Sequence, residues 1–330
     1  HEQGVGKTPI AAMGITTTPA LIVCPAAVCQ HWERSILDWR PDLDDVRVIS
    51  YDLLHRRKIR RPRCLIVDEC HYVKNPQAIR TRYVKELART AQQVIFMSGT
   101  PVPNRPIEFW PVLDSIGCLD GMSWNNYANR FCAAWYDEWG TLNVSGHSNL
   151  DLLRAIVKPY MRRRVKEDVL TELPPKQFRV IPIKAPSALR AERDIPEIKD
   201  LDVSSLRPLL YSIPQEALST IMRLHGEAKV KPASAYIIDL LSSGVEKLVV
   251  GAWHRDVIQD ITDRIRSAGY VVARYESGAS PEKRQGAIDR FQDGDAHVII
   301  GNLKSMGTGI TLTAAHHQVL VESNWSPGSY

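Results

Sequence analysis

The stretch Cys64-Leu65-Ile66-Val67-Asp68-Glu69-Cys70-His71 decides the fold. Its apolar run is short and does not alternate with polar residues, which is the pattern of a strand buried on both faces of a parallel sheet. The run then breaks into two adjacent carboxylates at the strand's C-terminal end, the edge where open α/β sheets bind ligands. Working outward, similar runs recur at Ala20 to Val23, Val46 to Ile49 and Val94 to Met97, and stretches with helical spacing lie between them, at Ala27 to Leu37 and Ile79 to Ala88. Buried strands alternating with helices define an α/β protein with a parallel sheet.

The texture changes from Ile107 to Val165 into an aromatic-rich amphipathic pattern (Trp110, Trp124, Tyr127, Phe131, Trp135, Trp139), read as a helical insertion whose roughly helical spacing predicts core packing rather than base stacking. Leu173-Pro174-Pro175-Lys176 punctuates the chain. A strand is predicted at Phe178 to Ile183, followed by an irregular insertion over about 186–231, proline-dotted up to Pro232 and with helical patches such as Glu216 to Leu224. The α/β texture then returns, with a helix to Leu241, strands at Lys247 to Val250, Tyr270 to Arg274, His297 to Ile300 and Gln318 to Val321, and helices at Asp256 to Ala268 and Pro281 to Phe291. This organisation gives a first lobe over 1–170 with its insertion at about 107–165, then linker, second insertion and a second lobe over about 233–330.

With 330 residues, 44% hydrophobic and 24% charged, the chain has material for about two cores and the composition of neither a disordered nor a disulfide-rich protein. Lys and Arg total 42 against 37 Asp and Glu, a net charge of +5 that permits a nucleic-acid partner without requiring one. The six cysteines form no Cys-x-x-Cys pair and lie mostly in apolar runs, as reduced buried thiols of an intracellular protein do. No apolar stretch approaches the roughly 18 residues of a membrane span. The chain begins at His1, already beside a glycine loop, so a preceding segment is expected.

That loop, Gly4-Val5-Gly6-Lys7-Thr8, suits a triphosphate. Glycines let backbone N–H groups curl around an anion, Lys7 reaches the β and γ phosphates, and the Thr8 hydroxyl can ligate Mg²⁺. Read alone, a glycine-rich turn is weak evidence, and a turn with a solvated lysine is the lesser alternative. Asp68 and Glu69 supply what the loop needs: Asp68 to hold Mg²⁺ through water, Glu69 to polarise the attacking water. Ser98-Gly99-Thr100-Pro101 presents hydroxyls and a tight turn at the same sheet edge.

Taken in order, these motifs resemble helicase superfamily two. Leu21-Ile22-Val23-Cys24-Pro25, Ser50-Tyr51-Asp52-Leu53-Leu54, Gly99 to Glu108, Arg162-Arg163-Arg164-Val165-Lys166-Glu167-Asp168-Val169 through Lys176, Gly278 to Arg284, Phe291-Gln292, Asn302 to Ala315 and Trp325-Ser326-Pro327-Gly328 resemble more specifically the Swi/Snf-type (HepA-like) DNA-translocase ATPases. The resemblance covers nearly all of the chain except about 186–231. It implies two RecA-like lobes of the P-loop NTPase fold, ATP with Mg²⁺ held between them and double-stranded DNA across both. The implied function is a DNA-dependent ATPase that translocates without separating strands, with DNA-bound protein as a further partner and no membrane association. Carried over by position, Gly4, Gly6, Lys7, Thr8, Asp68, Gly307 and Gly309 bind nucleotide, Lys7, Asp68 and Glu69 are catalytic, and His71, Ser98 and Thr100 couple hydrolysis to movement. Pro25, Asn104, Asn302 and Lys304 lie in motifs that face DNA. A strand-separating DNA or RNA helicase and a hydrolysis-deficient ATP-gated binding module stand as alternatives.

This chain departs from the family at His1, Gln3 and Val5, at Cys70 for the usual Ala, and at Met306 where Gly is common. It ends at Tyr330, before the family's arginine motif, and an arginine at the transition-state charge is worth on the order of 10³ in rate. The chain as it stands is therefore expected to bind ATP and hydrolyse it slowly. The basic run His55 to Arg63 precedes the strand ending at Asp68, at the edge away from the ligand site, and reads as a solvated connector. Arg162, Arg163, Arg164 and Lys166 fit either a contact to DNA or nucleotide or a hinge salt bridge. His316-His317 reads as structural, and the economy of the insertions favours a bacterial or phage source.

Overall fold

The four apolar runs of the first half become one parallel sheet in the computed structural model, which describes residues 1–2, 4–99, 105–173, 175–183, 215–307, 310 and 312–322. Strands β1 (Ala20–Cys24), β2 (Val46–Ser50), β3 (Cys64–Val67) and β4 (Gln93–Phe96) lie in the order β2-β1-β3-β4. Helices α1 (Lys7–Met13), α2 (Cys29–Trp39) and α3 (Ile79–Thr90) connect and cover them. The absence of alternation in β1 and β3 has a direct cause: successive side chains enter different cores. Ile22 and Ile66 pack with Ala12, Trp32 and Ile36 on one face, while Val23, Leu65 and Val67 pack with Val84 and Leu87 on the other. Burying each Leu, Ile or Val contributes about 1.5–3 kcal/mol, so both faces anchor the strand that delivers Asp68.

The insertion carries α4 (Trp110–Ser115), α5 (Trp124–Phe131) and α6 (Leu150–Val157), with a two-stranded antiparallel hairpin, β5 (Trp135–Tyr136) and β6 (Leu142–Asn143), between the last two helices. Core packing holds for Trp110, Tyr127 and Phe131, which are buried, and for Trp124, which is partly so. It fails for Trp135 and Trp139, 54% and 89% exposed, because the chain leaves helical geometry at Cys132 and the hairpin carries these rings into solvent. A final short turn, α7 (Lys166–Val169), closes the first compact unit, which spans His1–Pro175.

The second unit, Lys176–Tyr330, is built on another parallel sheet. Strands β7 (Leu248–Ala252), β8 (Val272–Tyr275), β9 (Val298–Asn302) and β10 (His317–Leu320) lie in the order β10-β7-β9-β8, with α8 (Gln215–Ser242), α9 (Arg255–Ser267), α10 (Pro281–Gln292) and α11 (Leu303–Met306) around them. Two sequence expectations are corrected here. No strand forms at 178–183; Phe178 and Val180 are 77% and 94% exposed, so the apolar residues have no sheet to join. The insertion assigned to 186–231 is more regular than expected where it is described: the helical patch at Glu216 to Leu224 and the helix ending near Leu241 belong to one continuous helix, α8, which starts at Gln215 and runs through Pro232. Val230, Ala233, Ile237 and Leu241 hold that helix to the core at helical spacing, and this burial outweighs the cost of the interior proline. Residues 184–214 lie outside the described residues. Among the described residues no helix is long and apolar enough to cross a membrane.

Candidate functional site

The glycine loop owes its shape to two left-handed residues, Gly4 at φ +79° and Gly6 at φ +75°. An L side chain at either position is strained, and left-handed backbone is one of the two conformations from which an anion-binding nest is built. Gly6 is also the cap of α1 and makes no side-chain capping bond. Lys7 and Thr8 are the first two residues of that helix, and Lys7 Nζ donates to the Glu2 carbonyl at 3.0 Å. Burial lowers the Lys7 pKa, against the opposing pull of the Glu69 and Asp68 carboxylates, and the nearby Lys166 ammonium lowers it further.

Asp68 and Glu69 leave β3 in different directions. Asp68 is 8% exposed; its Oδ2 accepts from Trp32 Nε1 at 2.8 Å and its Oδ1 from the Glu69 amide at 2.9 Å. Its carbonyl accepts from the Tyr51 hydroxyl at 2.6 Å, and that ring stacks on Tyr72. Glu69 adopts the left-handed conformation at φ 47°, a strained state for a residue with a side chain and one that gathers at functional sites. Its Oε2 lies 3.2 Å from His71 Nδ1 and accepts from Ser98 Oγ at 3.3 Å, and His71 and Ser98 are themselves 3.3 Å apart. The two carboxyls are pushed in opposite directions. Burial raises Asp68 despite the Trp32 hydrogen bond. Burial also works to raise Glu69, but the His71 hydrogen bond and charge, Lys7 and the Ser98 hydroxyl outweigh it and hold Glu69 below the usual range. Such a divided pair suits one group that ligates and one that takes a proton.

The structure thus brings Gly4, Gly6, Lys7, Asp68, Glu69, His71 and Ser98 into one region of the first unit. Thr100 and Asn104 lie outside the described residues. Pro25 is buried and caps the short turn Ala26–Val28, leaving Ala26 and Ala27 as the exposed residues there. In the second unit Asn302 caps α11, accepting from the Lys304 amide at 3.0 Å and donating to the Trp253 carbonyl at 2.6 Å, so both ends of its amide are engaged in the fold. Lys304 is exposed. Gly307 ends α11 with its amide on the Leu303 carbonyl, and Gly309 lies outside the described residues. The connector after Ser50 is exposed through most of His55 to Arg63, with Arg60 paired to Asp45 at 3.3 Å.

Sequence reasoning missed Trp32, whose indole N–H demands a partner once buried, and Glu2, a link between the glycine loop and the end of the unit. It also missed Glu322. That carboxylate, 5% exposed, accepts from the Trp253 amide at 2.6 Å, the His254 amide at 2.9 Å and His254 Nδ1 at 2.6 Å. The available signal was a carboxylate just after a strand, as for Asp68.

An SNF2-related domain matches residues 43–190, and a helicase conserved C-terminal domain matches residues 232–330. Human DNA annealing helicase and endonuclease ZRANB3 is 30% identical over 99% of this chain and 34% of its own length. The SWI/SNF-related matrix-associated actin-dependent regulator of chromatin subfamily A-like protein 1 of Xenopus laevis is 28% identical over 99% and 37%. The solved SWI2/SNF2 ATPase core of Sulfolobus solfataricus in complex with dsDNA is similar over 97% of this chain and 76% of its own, at 21% identity and a TM-score of 0.45. The chain thus carries a match to an SNF2-related domain followed by a match to a helicase conserved C-terminal domain. It spans about a third of the length of the curated relatives it matches. Those relatives are animal proteins and lend no support to a bacterial or phage source.

Proposed function

We propose that this chain is the motor core of an ATP-driven translocase acting on double-stranded DNA. The observation that carries the reading is the convergence, within one unit, of a left-handed glycine loop and Lys7 on two carboxyls held in opposite protonation tendencies. Gly4, Gly6 and Lys7 would bind the phosphates of ATP. Thr8 and Asp68 fit Mg²⁺: a hydroxyl and a buried carboxylate whose oxygens each retain a lone pair beyond the bonds to Trp32 and Glu69. The ion's contribution when bound is to neutralise charge on the transferring phosphoryl group.

Glu69, kept ionised, orients the attacking water and accepts its proton. His71 and Ser98 hold that carboxylate in place, and because Ser98 follows β4, a change at Glu69 passes directly to the segment after that strand. We assign coupling to Glu69, His71 and Ser98, with Thr100 two residues further on. Lys304 and the exposed turn after Pro25 are the proposed DNA contacts, and Asn302 acts on them by fixing the start of α11.

The test is steady-state ATPase on the full-length natural protein and on this chain, with and without duplex DNA, alongside Lys7→Ala and Glu69→Gln variants. Duplex-stimulated hydrolysis is expected in the full-length protein, with Glu69→Gln lowering it by about 10²–10⁴ while nucleotide still binds. Silence on duplex, single-stranded DNA and RNA alike would leave an ATP-gated binding module. Unwinding of a forked duplex would instead make it a strand-separating helicase.

A further inference from the structure

Glu2 ties the glycine loop to the last turn of the first unit. Its carbonyl accepts from Lys7 Nζ at 3.0 Å, its amide donates to the Arg164 carbonyl at 3.0 Å, and its carboxylate Oε2 accepts from the Lys166 amide at 2.6 Å. This arrangement lays the Lys166 side chain over Gly4: a Cβ added to Gly4 would stand 3.4 Å from Lys166 Cε and 3.6 Å from its Nζ. Among the described residues no carboxylate pairs with the Lys166 ammonium, although Asp and Glu are abundant in the sequence. Two ammonium groups, Lys7 from inside the helix and Lys166 from across the loop, therefore flank the same glycines.

Two like charges gathered at a loop of left-handed glycines repel each other unless an anion lies between them. The loop itself supplies N–H donors of the same polarity. Asp68 and Glu69 offset the charge of Lys7, whereas the Lys166 ammonium has no carboxylate partner among the described residues, and a polyphosphate on the loop is the chemical class that would supply an anionic partner.

We propose that Lys166 is a second phosphate-binding lysine of the nucleotide site, contacting the phosphate chain across Gly4. Occupancy of the site is thereby sensed by Arg162 to Lys166, the segment that leads out of the first unit. This rests on the ATP reading above and extends it from the glycine loop to the exit of the unit. It also resolves the choice the sequence left open for this basic segment, in favour of nucleotide over a hinge salt bridge.

The test is direct binding of a fluorescent ADP and of a non-hydrolysable fluorescent ATP analogue, with Mg²⁺, to the wild-type chain and to Lys7→Ala, Lys166→Gln and Lys166→Arg. Hydrogen exchange over 162–169 is followed with and without ADP. Lys166→Gln is expected to weaken binding about tenfold, the loss of one exposed charge-assisted hydrogen bond, and Lys166→Arg to restore most of it. Nucleotide should protect 162–169 in the wild type and not in Lys166→Gln. Thermal unfolding should be unchanged in Lys166→Gln, because the side chain is exposed. If Lys7→Ala abolishes binding while Lys166→Gln binds as the wild type does, the inference is wrong and the ATP reading survives. If no nucleotide binds the wild type, both fall. If Lys166→Gln lowers affinity for duplex DNA and leaves nucleotide affinity intact, the lysine belongs to DNA and the inference is overturned.

Discussion

Trp32→Phe isolates the bond that keeps a buried carboxylate usable. Trp32 is fully buried and its Nε1 donates to Asp68 Oδ2 at 2.8 Å. A hydrogen bond to a charged acceptor contributes about 1.5–3 kcal/mol, and the smaller ring leaves a void costing about 1–2 kcal/mol more. The variant should therefore lose about 3–4 kcal/mol at neutral pH, a fall of about 1–2 M in the urea midpoint of the first unit. The pH dependence separates the two contributions. Burial raises the Asp68 pKa above 3.8, so as pH falls toward the ordinary carboxylate range the native state takes up this proton before the unfolded chain does. The raised group favours folding progressively on acidification and loses that contribution as pH rises through its folded pKa. A neutral acceptor makes a bond about half as strong, so the cost of Trp32→Phe should shrink by about 1 kcal/mol at the acidic end. Glu69 behaves oppositely: held low, it stabilises above its ordinary value of 4.5 and loses that contribution as pH falls below it. The measurement is urea unfolding followed by circular dichroism just above that range and at neutral pH. A penalty identical at both pH values would mean that packing alone accounts for it, and the argument that Trp32 supports a charged Asp68 would be wrong. The same variant should raise the Mg²⁺ concentration needed for half-maximal ATPase.

Gly4→Ala and Gly6→Ala should each destabilise the first unit by about 1–2 kcal/mol through left-handed strain alone, since the added Cβ meets only ordinary contacts, Lys166 Cε at 3.4 Å and Pro9 at 3.7 Å. A urea midpoint left unmoved by either substitution would contradict that strain. Glu322→Gln sets an amide donor against the Trp253 and His254 donors and should cost the second unit about 2–3 kcal/mol, leaving the unfolding of the first unmoved. Cys29 should react first with a thiol reagent under mildly alkaline conditions: the hydrogen bond from Cys24, 3.5 Å away, holds its pKa down. Burial pushes Cys64, Cys118 and Cys132 up to about 11 and Cys70 to about 12. Peptide mapping of the labelled sites decides it, and Cys24→Ala should slow the labelling.

The strands were legible because both faces of each sheet are covered, so burial writes itself as an unbroken apolar run; Leu65 and Ile66 enter opposite cores and both had to be apolar. The glycine loop and the adjacent carboxylates stood out in the sequence because the proposed phosphate chemistry calls for those residue types at that spacing. What stayed hidden lies far apart in sequence. Trp32 sits on the apolar stripe of α2, where a ring reads as core, and its second duty depends on a carboxylate delivered by another strand. Pro232 and the apolar residues of 178–183 misled for the same reason. Local preference points one way and tertiary context another: a packed stripe carries α8 past its proline, and among the described residues no strand pairs with 178–183.

Register explains why these distant residues meet. Val67 pairs with Phe96 across β3 and β4, so Glu69 and Ser98, each two residues further on, come out side by side and their bond is a consequence of strand pairing. Val23 pairs with Val67, which sets Pro25 at the same level on the neighbouring strand. The second sheet repeats the device: Gly251 pairs with Leu320, and two residues beyond each stand Trp253 and Glu322, joined through the Trp253 amide. Parallel pairing aligns strand ends as well as strands, so a polar residue two positions past one end meets its counterpart past the next. The left-handed turn at Glu69 is the one departure from this regular layout, and it separates the two carboxyls that β3 delivers. Asp68 stays in the apolar layer with Trp32, and Glu69 swings to His71 and Ser98. Glycine would relax that turn but carries no carboxyl. The strain therefore persists as a condition of sending two adjacent carboxylates from one strand end into different surroundings.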